Sequence, residues 1–240
     1  MEKAKKTKII IGLCYLTLVS FFLLMFFSKF SIDEITSYDF IRDNRLYFQE
    51  LKNSNLFLVS IIFLIFTILW VFPFLGFGSP IALLGGFMFG KWLGTIIVVI
   101  GLSVGATFLY MFGNYFLKDL IREKFLNKYE NLEKRFKNSE FYYLLIYRFI
   151  GGIPWQLSCI LPTIFNVKTM NFFFASLIGI VPQIFLAVSI GSGLEKIIDQ
   201  NSELPKITEV IFSPEIYIPI LAFLSLVLAT IILRKSFYKN

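Results

Sequence analysis

The stretch FYYLLIYRFIGGIPWQLSCILPTIFNV, residues 141–167, decides how this chain is read. Arg148 is its only charged residue. A guanidinium stays protonated in proteins, and at bilayer depth it costs about 2.5–3.5 kcal/mol on insertion scales. Gly151, Gly152 and Pro154 follow it and break a helix. Irregular backbone at that depth is tolerated only inside protein or beside a water-filled cavity. An isolated cation next to broken helix therefore reads as a site for an anion. Snorkelling of Arg148 to the interface is the competing structural reading.

The rest of the chain has the same character. Its 240 residues are 57% hydrophobic and 16% charged, against about 25% charged in soluble domains, and mean hydropathy is +0.74. This composition predicts an integral membrane protein. A net charge of +7 suits anionic lipid headgroups, and no basic fold motif points to nucleic acid. The chain has no His, which removes the commonest metal ligand and the usual proton carrier at neutral pH. Cys14 and Cys159 lie in apolar segments and form no CxxC. No metal and no cofactor is expected, and the two cysteines read as small packing residues. No nucleophile–base pair is visible, so the chain is not expected to be an enzyme.

Charges divide the sequence into segments. Residues 9–28 are uncharged, too long for a signal h-region and followed by no Ala-x-Ala site, so they read as a retained transmembrane helix. Residues 29–52 read as a polar connection with an interfacial amphipathic helix. From 53 to 90 the chain is uncharged; a helix at 54–72 and a broken, re-entrant hairpin at 73–90 account for it. Residues 92–117 span, 118–140 form a charged surface helix, 141–167 re-enter, 169–194 span with a kink, and 216–233 span last. Domain by domain, 1–52 is an N-terminal helix and connection, 53–195 a core with both hairpins, and 196–240 a loop and last helix.

The fold class expected is all-α and polytopic, with about five transmembrane helices and two re-entrant helical hairpins in an inverted repeat. The repeat rests on matched landmarks: Pro80, Phe89-Gly90 and Gly101 in one half, Pro154, Phe165-Asn166 and Gly179 in the other. Five spans leave the termini on opposite faces. The basic N-terminus, the basic 118–140 segment and Arg234-Lys235 then cannot all lie inside, as the positive-inside rule asks.

For the site, Arg148 is a bidentate clamp for a phosphate. Gln156 and Gln183 are its candidate polar neighbours. Backbone N–H groups at the turn Gly151, Gly152, Pro154 add donors. In the first half, Pro80 marks the matching break, and Lys91 reads as an interfacial anchor or as a second phosphate contact. Gly86, Gly90 and Gly94 recur every four residues, and Gly101 and Gly105 repeat that spacing; this favours close helix packing.

The string SPIALLGGFMFGKWLGTIIVVIGLSVGATFLYMFGNYFLKD resembles the first half of the VTT domain, the core of the DedA and SNARE-associated Golgi protein superfamily. Pro80, Gly86, Phe89-Gly90 and Gly94 match its pattern. YRFIGGIPW and LIGIVPQIFLAVSIGSGLE resemble the second half, through Arg148, Pro154, Gly179, Pro182, Gly191 and Gly193. The likeness covers roughly residues 70–195. It departs at Asn114 and Gly151, where many members carry Arg and Pro, and the acidic residues tied to proton coupling in some members have no clear counterpart. The resemblance implies two facing re-entrant hairpins and movement of lipids: phospholipid scrambling or recycling of polyprenyl phosphate. The expected partners are membrane lipids with anionic phosphate headgroups, and a homo-oligomer is left open. The expected location is a bacterial cytoplasmic membrane. An ion-coupled small-solute transporter and a membrane scaffold or assembly factor are the alternatives.

Overall fold

The computed structural model describes residues 53–116, 139–150 and 153–200, with the side chains of 195–200 excepted, and scattered positions within 7–51, 118–137 and 214–225. Gly151 and Gly152 lie outside the described residues. So do the expected interfacial and surface helices and the last span as continuous elements. The described part is helical and contains no strand.

Helix α1 is Leu56–Val71. Asn55 caps it, its side chain accepting from the Leu58 N–H at 3.0 Å. The helix stops at Phe72, which is extended before Pro73, where the α conformation is disfavoured. The turn 72–77 contains Leu75 at φ 57°, and Trp70 Nε1 donates to the Phe77 carbonyl at 2.9 Å across it.

Helix α2 is Gly78–Phe116. It runs unbroken through Pro80, Gly85 and Gly86, so the expected broken hairpin at 73–90 is instead one straight arm between two breaks. Pro80 sits in the first turn, where its missing N–H is not needed. The second break is Gly90, at φ 73° and ψ 176°, a combination essentially restricted to glycine. It divides α2 into α2a (78–89) and α2b (91–116). The arms fold back on each other, with Gly78 against Leu102 and Gly85 against Val98. A Cβ on Gly90 would meet nothing within 4 Å. Gly90→Ala is therefore expected to cost about 1–3 kcal/mol through backbone strain alone, seen as a lower thermal midpoint with no change in assembly.

Helix α1 runs parallel to α2b, because Gly101 packs on Thr67 and Gly105 on Val71. The turn 72–77 thus lies beside residues 102–106, halfway along a helix about 39 Å long at 1.5 Å per residue.

The second half repeats this plan. Helix α3 is Glu140–Ile150, α4 is Trp155–Ile160 and continues as a 3-10 turn at Leu161–Phe165, α5 is Thr169–Gly179 and α6 is Val181–Gln200. Asn166 is left-handed at φ 48° and holds the place that Gly90 holds in the first half. Helix α3 runs parallel to α5: Glu140 bonds the Lys168 N–H, and Gly179 packs on Arg148. The end of α3 therefore lies near the α5–α6 junction. The start of α4 meets the turn of the first half, where Gln156 Nε2 donates to the Leu75 carbonyl at 2.6 Å.

The halves pack antiparallel. Tyr110 of α2b stacks on Phe172 of α5 at 4.6 Å, and Gly94 packs against Val188 of α6. One core cluster joins α1, both arms of α2 and α6 around Ala82, Val98, Leu102 and Val188. The other joins α2b, α3, α4 and α5 around Tyr110, Leu144, Cys159 and Phe172. Among the described residues only α2 is a single helix long and apolar enough to cross a membrane; Thr169–Gly179 and Val181–Leu194, bent by 44°, make a second if taken as one broken span.

Candidate functional site

Arg148 lies near the end of α3 and is 4% exposed. It does not snorkel. Its Nη1 donates to Ser158 Oγ at 2.8 Å and its Nη2 to Cys159 Sγ at 3.5 Å. Both acceptors come from α4, which lies back beside α3. The Ser158 hydroxyl donates in turn to the Trp155 carbonyl at 2.7 Å, so it is fixed as an acceptor for Arg148. The guanidinium carbon lies 5.2 Å from the Trp155 ring centre and 4.8 Å from that of Phe172, close enough for both rings to stabilise the cation.

Every partner of Arg148 among the described residues is neutral. Glu140, on the same helix, accepts from the Lys168 N–H at 2.7 Å and from Asn171 Nδ2 at 3.1 Å, at the far end of α3. The Nε atom of Arg148 is buried and has no partner. The site is thus a cation held in place by rings and dipoles, with no carboxylate beside it among the described residues and one edge unused. A planar fork with free N–H groups is suited to two oxygens of a phosphate or carboxylate.

Gln183 is close by. Its Nε2 donates to the carbonyls of Arg148 and Phe149, at 2.9 and 2.8 Å, which satisfies orphaned acceptors at the end of α3. Gln156 spends its amide on Leu75. Both glutamines hold backbone around Arg148, with no hydrogen bond to its guanidinium. Pro154 is exposed and precedes α4 as its N-cap. The N–H donors expected at Gly151 and Gly152 fall on residues the structure does not describe. Pro80 and Lys91 are not brought to Arg148: both are exposed, and Lys91 sits beside the Gly90 break, at the end of α2b farthest from its charged C-terminal end.

Four contacts of Arg148 were absent from the sequence reading: Ser158, Cys159, Trp155 and Phe172. Cys159 is more than a packing residue here, since its sulfur accepts from the guanidinium. Ser158 and Cys159 lie ten and eleven residues after Arg148, and only the turn between the helices brings them back. No periodicity could have flagged them.

A family model described as the VTT domain matches residues 72–193, just over half of the chain. The chain is 32% identical over 124 residues to the uncharacterized protein YqeD of Bacillus subtilis (strain 168), covering 50% of this chain and 59% of that protein. It is 28% identical over 154 residues to the transmembrane protein 41 homolog of Dictyostelium discoideum, covering 62% of this chain and 45% of that protein. The chain thus spans about half the length of these relatives. No solved structure matches.

Proposed function

The chain belongs to the VTT-domain family of membrane proteins, and from that premise we propose that it moves lipids with an anionic phosphate headgroup, phospholipid or polyprenyl phosphate, across a cell membrane. The observation that carries this reading is Arg148, buried and without a carboxylate partner among the described residues. It stands beside α4, whose Gln156 meets the turn of the first half at Leu75. A headgroup phosphate supplies the missing negative charge, while the acyl chains remain in the bilayer. The rate of headgroup flipping in proteoliposomes tests this. Arg148→Ala is expected to abolish flipping, and undiminished flipping would remove Arg148 from the mechanism.

In the membrane, α1 with α2a and α3 with α4 act as the two re-entrant hairpins. Each turn reaches the middle of its neighbouring span, as Gly105 on Val71 and Gly179 on Arg148 support. Helix α2b and the α5–α6 pair cross fully. Together with the apolar segments 9–28 and 216–233 this gives four crossings, in place of the five counted from hydropathy. An even number brings both termini to one face. The basic stretches 1–8, 118–137 and 234–239 then share that face, as the positive-inside rule requires of the cytoplasmic side. On this topology α1 is one arm of a hairpin, and the conflict between the basic stretches disappears. Labelling of Lys128→Cys from outside intact cells would overturn this orientation.

A scaffold role is the second reading, favoured by the rings and hydroxyl that already engage Arg148. It predicts that Arg148→Ala lowers the yield of folded protein with no separable transport defect, and that the wild-type protein itself flips no lipid in proteoliposomes.

A further inference from the structure

Helix α2b is apolar except for a few residues, and four of those share one face. Ser103, Thr107, Tyr110 and Asn114 follow each other at steps of four, three and four. At 3.6 residues per turn they fall within about 60° of the helix circumference and extend about 16 Å along it. Ser103 is fully buried, and its hydroxyl has no partner. The side-chain oxygen of Asn114 is buried and unpartnered as well. Thr107 bonds back to the Ser103 carbonyl at 2.7 Å, and Tyr110 donates to the Val167 carbonyl at 2.6 Å.

The facing wall carries matching groups. Thr163 of the 3-10 turn and Ser176 of α5 are fully buried, and neither side-chain oxygen has a partner. Thr163 lies against Gly113; Ser176 lies one turn beyond Phe172, which stacks on Tyr110. Buried polar atoms without partners are rare in native structures and call for a specific explanation. Here they line both sides of one seam, between α2b and the second half.

The seam has two distinct ends. The antiparallel register set by Tyr110 on Phe172 places Ser103 opposite Gly179, which packs on Arg148. That is the deep end. At the other end Lys118 Nζ meets Asn166 Oδ1 at 2.7 Å and Glu140 meets the Lys168 N–H; these are the charged residues of the 118–140 face. Beyond Arg148, toward Lys91, α2a and α6 pack within an apolar cluster, and at two glycines the approach is to backbone. A Cβ on Gly86 would lie 1.9 Å from the Val188 carbonyl oxygen, and one on Gly191 2.0 Å from that of Leu83.

We propose that this seam, packed shut here by the stack of Tyr110 on Phe172, parts during transport into a hydrophilic half-path from the 118–140 face to Arg148. It admits the hydrated, phosphate-bearing headgroup of a lipid, and the Gly86–Val188 and Gly191–Leu83 contacts close it toward the opposite face. The assignment of the headgroup rests on the function proposed above; the half-path itself rests on the polar atoms of the seam.

Thiol accessibility tests it. Full-length protein carrying Cys14→Ser and Cys159→Ser receives Thr107→Cys or Asn114→Cys on the seam. Phe108→Cys or Met111→Cys on the exposed apolar face of α2b serves as the control. A charged, membrane-impermeant methanethiosulfonate is added to vesicles from the 118–140 side. The seam cysteines are expected to react at least roughly tenfold faster than the controls, as thiol reactivity follows exposure to water. Seam rates equal to the control rates, in variants that remain monodisperse, would overturn the half-path. The outcome is separable from that of Arg148→Ala. Fast labelling with undiminished flipping in Arg148→Ala supports the half-path and removes the headgroup assignment. Slow labelling with flipping lost does the reverse.

Discussion

Arg148→Lys is expected to lose lipid flipping almost as completely as Arg148→Ala, by at least about tenfold, or 1.4 kcal/mol on the barrier. The lysine keeps the charge but not the fork. Arg148 uses Nη1 on Ser158 and Nη2 on Cys159 and leaves Nε free. An ammonium is a compact, strongly hydrated point charge that cannot hold two acceptors and still present a planar edge. It is also a poorer fit between the Trp155 and Phe172 rings, which an arginine favours by stacking. Flipping of a fluorescent phospholipid and of a polyprenyl phosphate, each in proteoliposomes, reads the effect for both lipid classes. A lysine variant with the wild-type rate would show that charge alone is required and that the orientation of the fork is immaterial.

Gly86→Ala and Gly191→Ala are expected to have the largest effect on folding. In both cases the new methyl meets a backbone carbonyl, of Val188 and of Leu83, well inside contact distance. Backbone cannot rotate away as a side chain can, so α2a and α6 would have to separate. Overpacking of this kind costs about 1–3 kcal/mol, occasionally more, and the two contacts are neighbours, so each variant is expected at the upper end. Gly113→Ala is the control. Its nearest neighbour is the Thr163 methyl at 3.4 Å, an ordinary contact, and within a helix alanine is favoured over glycine by about 1 kcal/mol. Intrinsic tryptophan fluorescence during a thermal ramp in detergent would order them: Gly86→Ala and Gly191→Ala well below wild type, Gly113→Ala level with it or above.

Much of this architecture can be read from residue types. The isolation of Arg148 within 141–167 is plain in the sequence, and its burial among neutral partners agrees with it. The match between Phe89-Gly90 and Phe165-Asn166 is equally legible, because left-handed backbone favours Gly and Asn; both positions have positive φ. Pro80 does not mark the break expected of it, because a proline in the first turn costs nothing, and the glycines after it serve close packing. The true breaks, at 72–77 and at Gly90, stood on either side. The polar stripe of α2b lies at helical period in the sequence, on the same helix as the glycine stripe. Ser158, Cys159, Trp155 and Phe172 could not be assigned to Arg148 beforehand, since the first three meet it only once α4 lies back on α3, and Phe172 only once α5 packs beside α3.

The short backbone contacts of Gly86 and Gly191 have an electrical consequence. Where a water-filled vestibule reaches halfway into a bilayer, the membrane potential falls mainly across the remaining dry layer. On the proposed path that layer is the thin packing of α2a on α6. A singly charged headgroup passing it would feel nearly the whole field, about 2.3 kcal/mol per 100 mV. The direction in which anionic lipids accumulate would then follow the sign of the resting voltage, while zwitterionic lipids would be indifferent to it.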